Sequence, residues 1–377
     1  MNDIKRITVK GFKSIKSLVD FELNHLNVIV GANGSGKSNF VQLFEMIHAI
    51  SLKGFQSFVY KNGDSKSFPF NGFKETPKID VGLEFTSKLN SKGGSTFYNL
   101  ALTPSPIGKL LINESCGYLA PNKSSYGPPD EESRLEETIE LDKQGDTEKA
   151  IGYFVHDAIS HWMIYHFHDS SLLAPMRTPE LKDDNKYLRS DASNIAPFLL
   201  HLKNQFPGNY KSIVLAVQAV MPFFKDFTLE TTKNALEENV KLTWSQKGTD
   251  YPMQSFHLSD GSIRFICLAT ALLQPNPPSI IIIDEPELGL HPAAIEILAN
   301  LIEVASRSTQ VIVATQSPLL LDKFNVEDII IAKRDKGATL FERLDEEKLK
   351  LWLDDYSLGE LWVKDIIQGG VTHEQDY

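Results

Sequence analysis

Three short runs of the chain are apolar at nearly every position: LNVIV at 26–30, SIIIID at 279–284 and TQVIVAT at 309–315. Strands without alternation are those covered on both faces, as in a parallel sheet flanked by helices. Helical spacing follows the first run, where Phe40, Leu43, Phe44 and Ile47 line one face of 39–50. It recurs over 263–273 and over 292–306, the latter with Pro292 in its first turn. One or two helices are predicted over 194–227, interrupted at Phe206-Pro207-Gly208. A short strand at 4–9 is broken by Gly11-Phe12-Lys13, and 81–85, 96–102 and 109–113 read as strands of an antiparallel, partly exposed sheet. Residues 329–332 and 338–342 form a closing hairpin in this reading. Residues 121–130 have linker composition, and 131–149 read as a charged, solvated surface helix. No internal repeat or long heptad array is visible, so extended coiled-coil arms are not expected. Helices alternating with apolar strands at both ends indicate an α/β fold with a parallel-sheet core.

Composition narrows the class. The 377 residues are 42% hydrophobic and 23% charged, which is ordinary globular composition. A net charge of −11 argues against a protein that coats nucleic acid over its whole surface, although a local basic patch stays open. Cys116 and Cys267 are the only cysteines, so neither a disulfide framework nor a Cys-based zinc site is expected. No apolar run approaches the roughly 20 residues that span a bilayer, and the opening MNDIKRITVKGFKS lacks the apolar centre of a secretory signal. The expectation is a cytoplasmic protein with no membrane partner.

Three segments carry chemistry. GANGSGKS at 31–38 lies between a buried strand and a helix and matches the phosphate-binding P-loop pattern completely. Its glycines let successive N–H groups face one anion at a helix N-terminus. Asn33, Gly34, Ser35, Gly36, Lys37, Ser38 and Asn39 form the candidate cofactor-binding set, with Lys37 reaching the β- and γ-phosphates and the Ser38 hydroxyl ligating Mg²⁺. In IIIIDEPELGLHP at 280–292, the buried strand ends in Asp284, a second candidate metal residue at the sheet edge where α/β proteins bind ligands. Glu285, next along, is placed to orient and deprotonate a water attacking the γ-phosphate. In LSDGS at 258–262, Ser259 and Gly261 precede a helix start, which either binds an anion or simply caps the helix.

These motifs, in this order, resemble those of the ATP-binding-cassette ATPases. ITVKGFKSI, GANGSGKSNF, LSDGSIRF and IIIIDEPELGLHP are similar to the branch containing RecF, the SMC proteins and the OLD-family ATPases. The likeness is strong over about 1–50 and 255–320 and weak between, and looks closest to short AAA-type ATPases of bacteria and archaea found beside nuclease-like proteins. It implies an ABC-type P-loop ATPase head with an antiparallel β subdomain and a helical insertion, divided at 1–120, 121–250 and 251–377. It also implies ATP and Mg²⁺ as cofactors, and a homodimer that sandwiches two nucleotides. Ser259 and Gly261 would contact the γ-phosphate of the partner's nucleotide, and residues 287–291 would lie at the dimer seam. Gln316, in ATQSP, occupies the switch position where many relatives have histidine, and is assigned a catalytic role with Glu285. Glutamine can hydrogen-bond a phosphate or water but carries no charge. Asp260 stands where the transporter signature has glycine, which points to the RecF-like branch.

Two assignments stay open. Lys13 either approaches the nucleotide or is a solvated lysine, and the YHFHD segment at 165–169 supplies a nucleotide or metal contact or is structural. Asp354-Asp355 reads as an exposed loop, and the apolar tail around Leu351, Trp352, Leu358 and Trp362 as a docking segment for the core or a partner. Residues 318–377 are too few for the Toprim nuclease domain of OLD proteins. Any nuclease-like activity is therefore expected from a separate effector protein, with DNA as a further partner. The favoured function is a DNA-associated ATPase switch in repair or anti-phage defence. The alternative is a slow-turnover nucleotide-dependent scaffold, and a transporter subunit fits less well.

Overall fold

A computed structural model describes residues 3–87, 94–118, 124–125, 127–137, 147–233, 237–249 and 251–367. Its centre is a six-stranded sheet in the order Ala338–Arg343, Ile329–Asp335, Leu26–Val30, Gln310–Thr315, Ile280–Asp284, Trp162–Tyr165. Every neighbouring pair is parallel except the hairpin formed by the first two strands. The all-apolar runs fall in its interior because both faces are covered. Ile281, Ile283, Val311 and Val313 pack under the helices Ile195–Gln205, Pro207–Val220, Asp260–Leu273 and Pro292–Ser306. Ile280, Ile282, Ile312 and Ala314 pack on the opposite face against the P-loop helix Lys37–Ser51 and the helix Thr147–Ser160.

A second sheet runs in the order Ile15–Glu22, Ile4–Phe12, Ile79–Ser87, Gly94–Pro104, Leu110–Tyr118, Ser124–Ser125, antiparallel throughout. One face is apolar, with Ile7, Val9, Val81, Leu83, Leu100 and Ile112 in the core. The other is polar and its charges are paired, Arg6 with Glu22 at 2.7 Å and Lys78 with Asp80 at 2.7 Å. This is the expected α/β ATPase-head architecture with its antiparallel lobe.

Four local expectations need correction. The strand from Ile4 continues through Gly11 to Phe12 and turns at Lys13 (φ 48°) into Ile15–Glu22, a strand the apolar pattern did not suggest. Only Ile15 and Leu18 of that edge strand are buried, so it carries no alternation to read. Residues 131–136 are bends and turns, with Ser133 and Leu135 buried, and helix begins at 137; 138–146 lie outside the described residues. A helix Thr147–Ser160 extends beyond the expected range, and its second half buries Val155, Ala158 and Ile159. Residues between 121 and 250 also hold short strands, such as Phe224–Phe227 paired with Thr243–Gln246.

The tail helices Glu346–Leu353 and Leu358–Val363 dock on the core through Leu349, Leu358 and Leu361, while Asp354 and Asp355 are exposed. Among the described residues no helix is long and apolar enough to cross a membrane.

Candidate functional site

Parallel strands end with their C-termini on one edge, and in this sheet four of those ends bring the predicted chemistry together. Val30 leads into the P-loop, Ile283 into Asp284-Glu285, Thr315 into Gln316 and Tyr165 into His166.

The loop itself is shaped by glycine. Gly36 has φ 107°, and a Cβ there would lie 2.0 Å from Thr339 Oγ1. A Cβ on Gly31 would meet the Ala332 carbonyl and Ser35 Oγ, both at 2.4 Å. Lys37, the first residue of the helix, is buried and its Nζ donates to the carbonyls of Gly31 (2.6 Å) and Ala32 (3.1 Å). Burial pushes its ammonium below the usual lysine range, opposed by the charges of Glu285, Asp284 and Glu287. Asn33 and Ser38 are exposed at the mouth. Asn39 turns elsewhere: its amide donates to Ser14 Oγ (2.7 Å), Ser14 pairs with Thr339 Oγ1 (2.7 Å), and Thr339 donates to the Ser35 carbonyl (2.8 Å). Asn39 thus braces the loop from behind.

The Ser38 hydroxyl lies close enough to Asp284 to favour its charged form, yet Asp284 Oδ1 is buried without a hydrogen bond. Burial and then the charge of Glu285 push its carboxyl up, against the pull of His168, Ser38 and His166. An unpartnered carboxylate oxygen beside a hydroxyl suits a hard cation such as Mg²⁺. Among the described residues no group of three or more His, Cys, Asp or Glu could hold a metal alone. The remaining ligands would therefore be phosphate and water, the usual arrangement for Mg²⁺.

Glu285 sits at φ 48°, a strained conformation for a non-glycine residue, fixed by its N–H donating to the Ala314 carbonyl (2.8 Å). Its carboxylate accepts a hydrogen bond from Gln316 Nε2. Glu287, expected at a dimer seam, faces inward: its Oε1 accepts from Thr315 Oγ1 (2.6 Å) and the Gln316 N–H (3.1 Å). Burial pushes its carboxyl up. Sequence reasoning missed this acid as the brace of the switch segment.

Ser259 and Gly261 lie elsewhere. Ser259 caps the helix Asp260–Leu273, its Oγ accepting from the Ser262 N–H at 3.1 Å. Neither makes a hydrogen bond to Lys37, Ser38, Asp284 or Glu285 of the same chain. Gly261 presses on the loop 287–291, where a Cβ would meet the Gly289 carbonyl at 2.3 Å.

Two buried arginines, also missed, fix this helix. Arg264 donates to the carbonyls of Phe167 (2.7 Å), His168 (2.9 Å) and Leu288. Arg177 donates to the Ser255 carbonyl (2.5 Å), the Leu258 carbonyl (3.1 Å) and Asp260 Oδ1 (2.9 Å). A charged residue alternating with apolar ones inside a helix, as in SIRFI, was the signal for Arg264. Lys13 is not fully solvated: its ammonium lies half-buried over the Phe68 ring, 5.4 Å from the centroid.

This fold and motif arrangement define a P-loop ATPase head of the ABC type, of the RecF/SMC branch. Residues 26–322 match the AAA_21 family, described as “AAA domain, putative AbiEii toxin, Type IV TA system”, and the chain belongs to that family. Among solved structures it is similar to an SMC head bound to the C-winged helix domain of ScpA, with TM-score 0.60 and 18% identity over 92% of this chain and 99% of that one. It is also similar to the Pyrococcus furiosus Smc head domain with an extended coiled coil, bound to the C-terminal domain of ScpA. That match has TM-score 0.59 and 17% identity over 94% and 99% of the two chains. At such identities the likeness is one of fold. A stretch of 39 residues is 54% identical to Structural maintenance of chromosomes protein 3 of Saccharomyces cerevisiae, spanning 10% of this chain and 3% of that protein.

Proposed function

We propose that the protein binds and hydrolyses Mg·ATP and uses the cycle to close and open a homodimer, acting as a switch in DNA repair or anti-phage defence. Lys37 and the loop from Asn33 to Ser38 hold the phosphates. Ser38 and Asp284 hold Mg²⁺, whose charge would draw electron density from the γ-phosphate. Glu285 orients and deprotonates the attacking water, with Gln316 fixing its carboxylate. Ser259 and Gly261 cover the nucleotide bound by the second copy.

One observation carries this reading. Lys37, Ser38, Asp284, Glu285 and Gln316 converge on one sheet edge, while the exposed Ser259–Gly261 corner makes no hydrogen bond to them within the chain. A second copy would complete the pocket. A separate effector, nuclease-like, and DNA are the proposed partners. The ScpA-bound SMC heads support partner binding by this kind of head, and the toxin–antitoxin description of the family supports a defence setting.

The test is Glu285→Gln in saturating Mg·ATP. Light scattering should report a dimer and phosphate release should fall at least about 100-fold; a monomer under these conditions counts against the proposal. The neutral Gln316, already bonded to Glu285, favours one competing reading, a scaffold that turns over little. Near-zero phosphate release by the wild-type protein with undiminished dimerisation would select it.

A further inference from the structure

The hairpin of Ile329–Asp335 and Ala338–Arg343 runs along the P-loop. The Ala332 carbonyl abuts Gly31, where a Cβ would come within 2.4 Å of it. Further along, Arg334 and Thr339 are cross-strand partners, and they hold successive carbonyls of the loop. Thr339 Oγ1 donates to the Ser35 carbonyl (2.8 Å) and Arg334 Nη1 to the Gly34 carbonyl (3.3 Å). Gly34 is exposed at φ 77°, and a Cβ there would touch nothing. The loop is open on this side.

One long hydrogen bond leaves most of the Arg334 guanidinium unused. Other cations of the hairpin are engaged: Lys333 pairs with Glu342 (3.2 Å), and Arg343 donates to Asn27 Oδ1 (2.7 Å) and to the carbonyls of Glu22 and Glu327. Arg334 and Lys336 are exposed and pair with no carboxylate among the described residues. A guanidinium carries five donors in a planar fork that matches a carboxylate. Such a carboxylate lies on the other half of the proposed pocket. Asp260, between Ser259 and Gly261, accepts from the buried Arg177 through Oδ1 (2.9 Å), while its side chain is 68% exposed. Its Oδ2 makes no hydrogen bond with a described residue. Each copy carries a net charge of −11, so two copies repel on approach, and an acid in the Ser259 corner is repelled again by a partner's triphosphate. A cation on the receiving loop offsets both.

Resting on the reading of a pocket shared between two copies, we infer that Arg334 of one copy pairs with Asp260 of the other, so that the hairpin beside Gly34 receives the Ser259–Gly261 corner. The partner is a second copy of this chain, and the ion pair selects it. Asp260 then lies between two arginines, Arg177 within its own chain and Arg334 across the seam, with a carboxylate oxygen for each. Lys336, two residues beyond Arg334 in the turn of the hairpin, adds positive charge to the same surface. By symmetry the contact occurs twice in each dimer.

The experiment exchanges the charges. Every chain carries Glu285→Gln, so that Mg·ATP is not consumed, dimerisation is followed by sedimentation, and thermal melts confirm folding. Arg334→Glu and Asp260→Arg each set like charges together at both contacts, and each alone should weaken dimerisation at least about tenfold. Mixed in equal amounts, the two variants set opposite charges together at both contacts. Differently tagged chains should then form heterodimers within about threefold of the parent affinity. Arg334→Gln keeps a donor for Gly34 and removes the charge. It should weaken the dimer about fivefold while the monomer's affinity for Mg·ATP changes less than about twofold, and it decides the question if Asp260→Arg does not fold. Variants that dimerise like the parent, or no gain on mixing, would overturn the inference and leave the shared pocket intact. A parent that stays monomeric in saturating Mg·ATP would remove both.

Discussion

At Gly36 the backbone reaches φ 107° with the Thr339 hydroxyl 2.0 Å from where a Cβ would sit. Gly36→Ala should therefore cost about 1–3 kcal/mol from the backbone alone, more from the collision, and abolish nucleotide binding. Urea unfolding and nucleotide titration would read both effects. His166, whose Nε2 lies 2.5 Å from Glu45 Oε1, predicts a pH dependence of stability. Burial would lower its affinity for a proton, but Glu45 and Asp284 outweigh burial and raise it above the ordinary histidine value. The folded state thus favours the proton more than the unfolded chain does. That stabilisation is fully present below about pH 6.5 and is lost as pH rises through the folded-state value. Glu45→Gln should accordingly destabilise more at pH 6 than at pH 9, by about 1 kcal/mol after discounting for solvent screening of this part-exposed pair. Melts across that range would show it, and a pH-independent difference would contradict that pairing. Lys37, Ser38, Asp284 and Glu285 were legible as a set because loop and strand motifs are local. The settings of Glu287 and His166 were not, because each depends on a partner far away in sequence, Thr315 and Glu45.

At the scale of elements, the helix Asp260–Leu273 is the part whose position matters most to a shared pocket, and it is fixed by charge as well as packing. Arg264 ties it to Phe167, His168 and Leu288. Arg264→Met keeps the volume but leaves those carbonyls unpaired, and should cost roughly 3 kcal/mol. Hydrogen exchange should then quicken at 166–170 and 287–291 together, since one side chain holds both; exchange that rises at one segment alone would argue against a common clamp. The buried strands and amphipathic helices were readable from apolar spacing. Ile15–Glu22 was not, because an edge strand with two buried residues has no period. The helix expected over 131–149 starts later than its charge pattern suggested, since 131–136 are not helical. Charge suggested a surface helix, while Glu114 draws 131–137 inward by accepting from Ser133 Oγ (3.0 Å) and the Arg134 N–H (2.6 Å).

For the whole molecule, a pocket completed by a second copy makes a prediction that a self-sufficient site does not. Lys37→Ala loses its own phosphate grip, and Ser259→Arg blocks the surface offered to the partner; each variant alone should be inactive. Mixed in equal amounts, heterodimers carry one intact composite site, so phosphate release should return to roughly a quarter of wild type under random pairing. No recovery on mixing would contradict the trans arrangement. The chain by itself determined the P-loop, the acidic strand end, the capped helix and the α/β plan, because phosphate cradles, buried strands and helix starts are written in neighbouring residues. Only the tertiary structure decided that His166 stands beside Asp284, that Glu287 braces the switch and that two buried arginines lock the Ser259 corner. Strand register and helix packing join positions tens to hundreds of residues apart, and no local pattern encodes those distances.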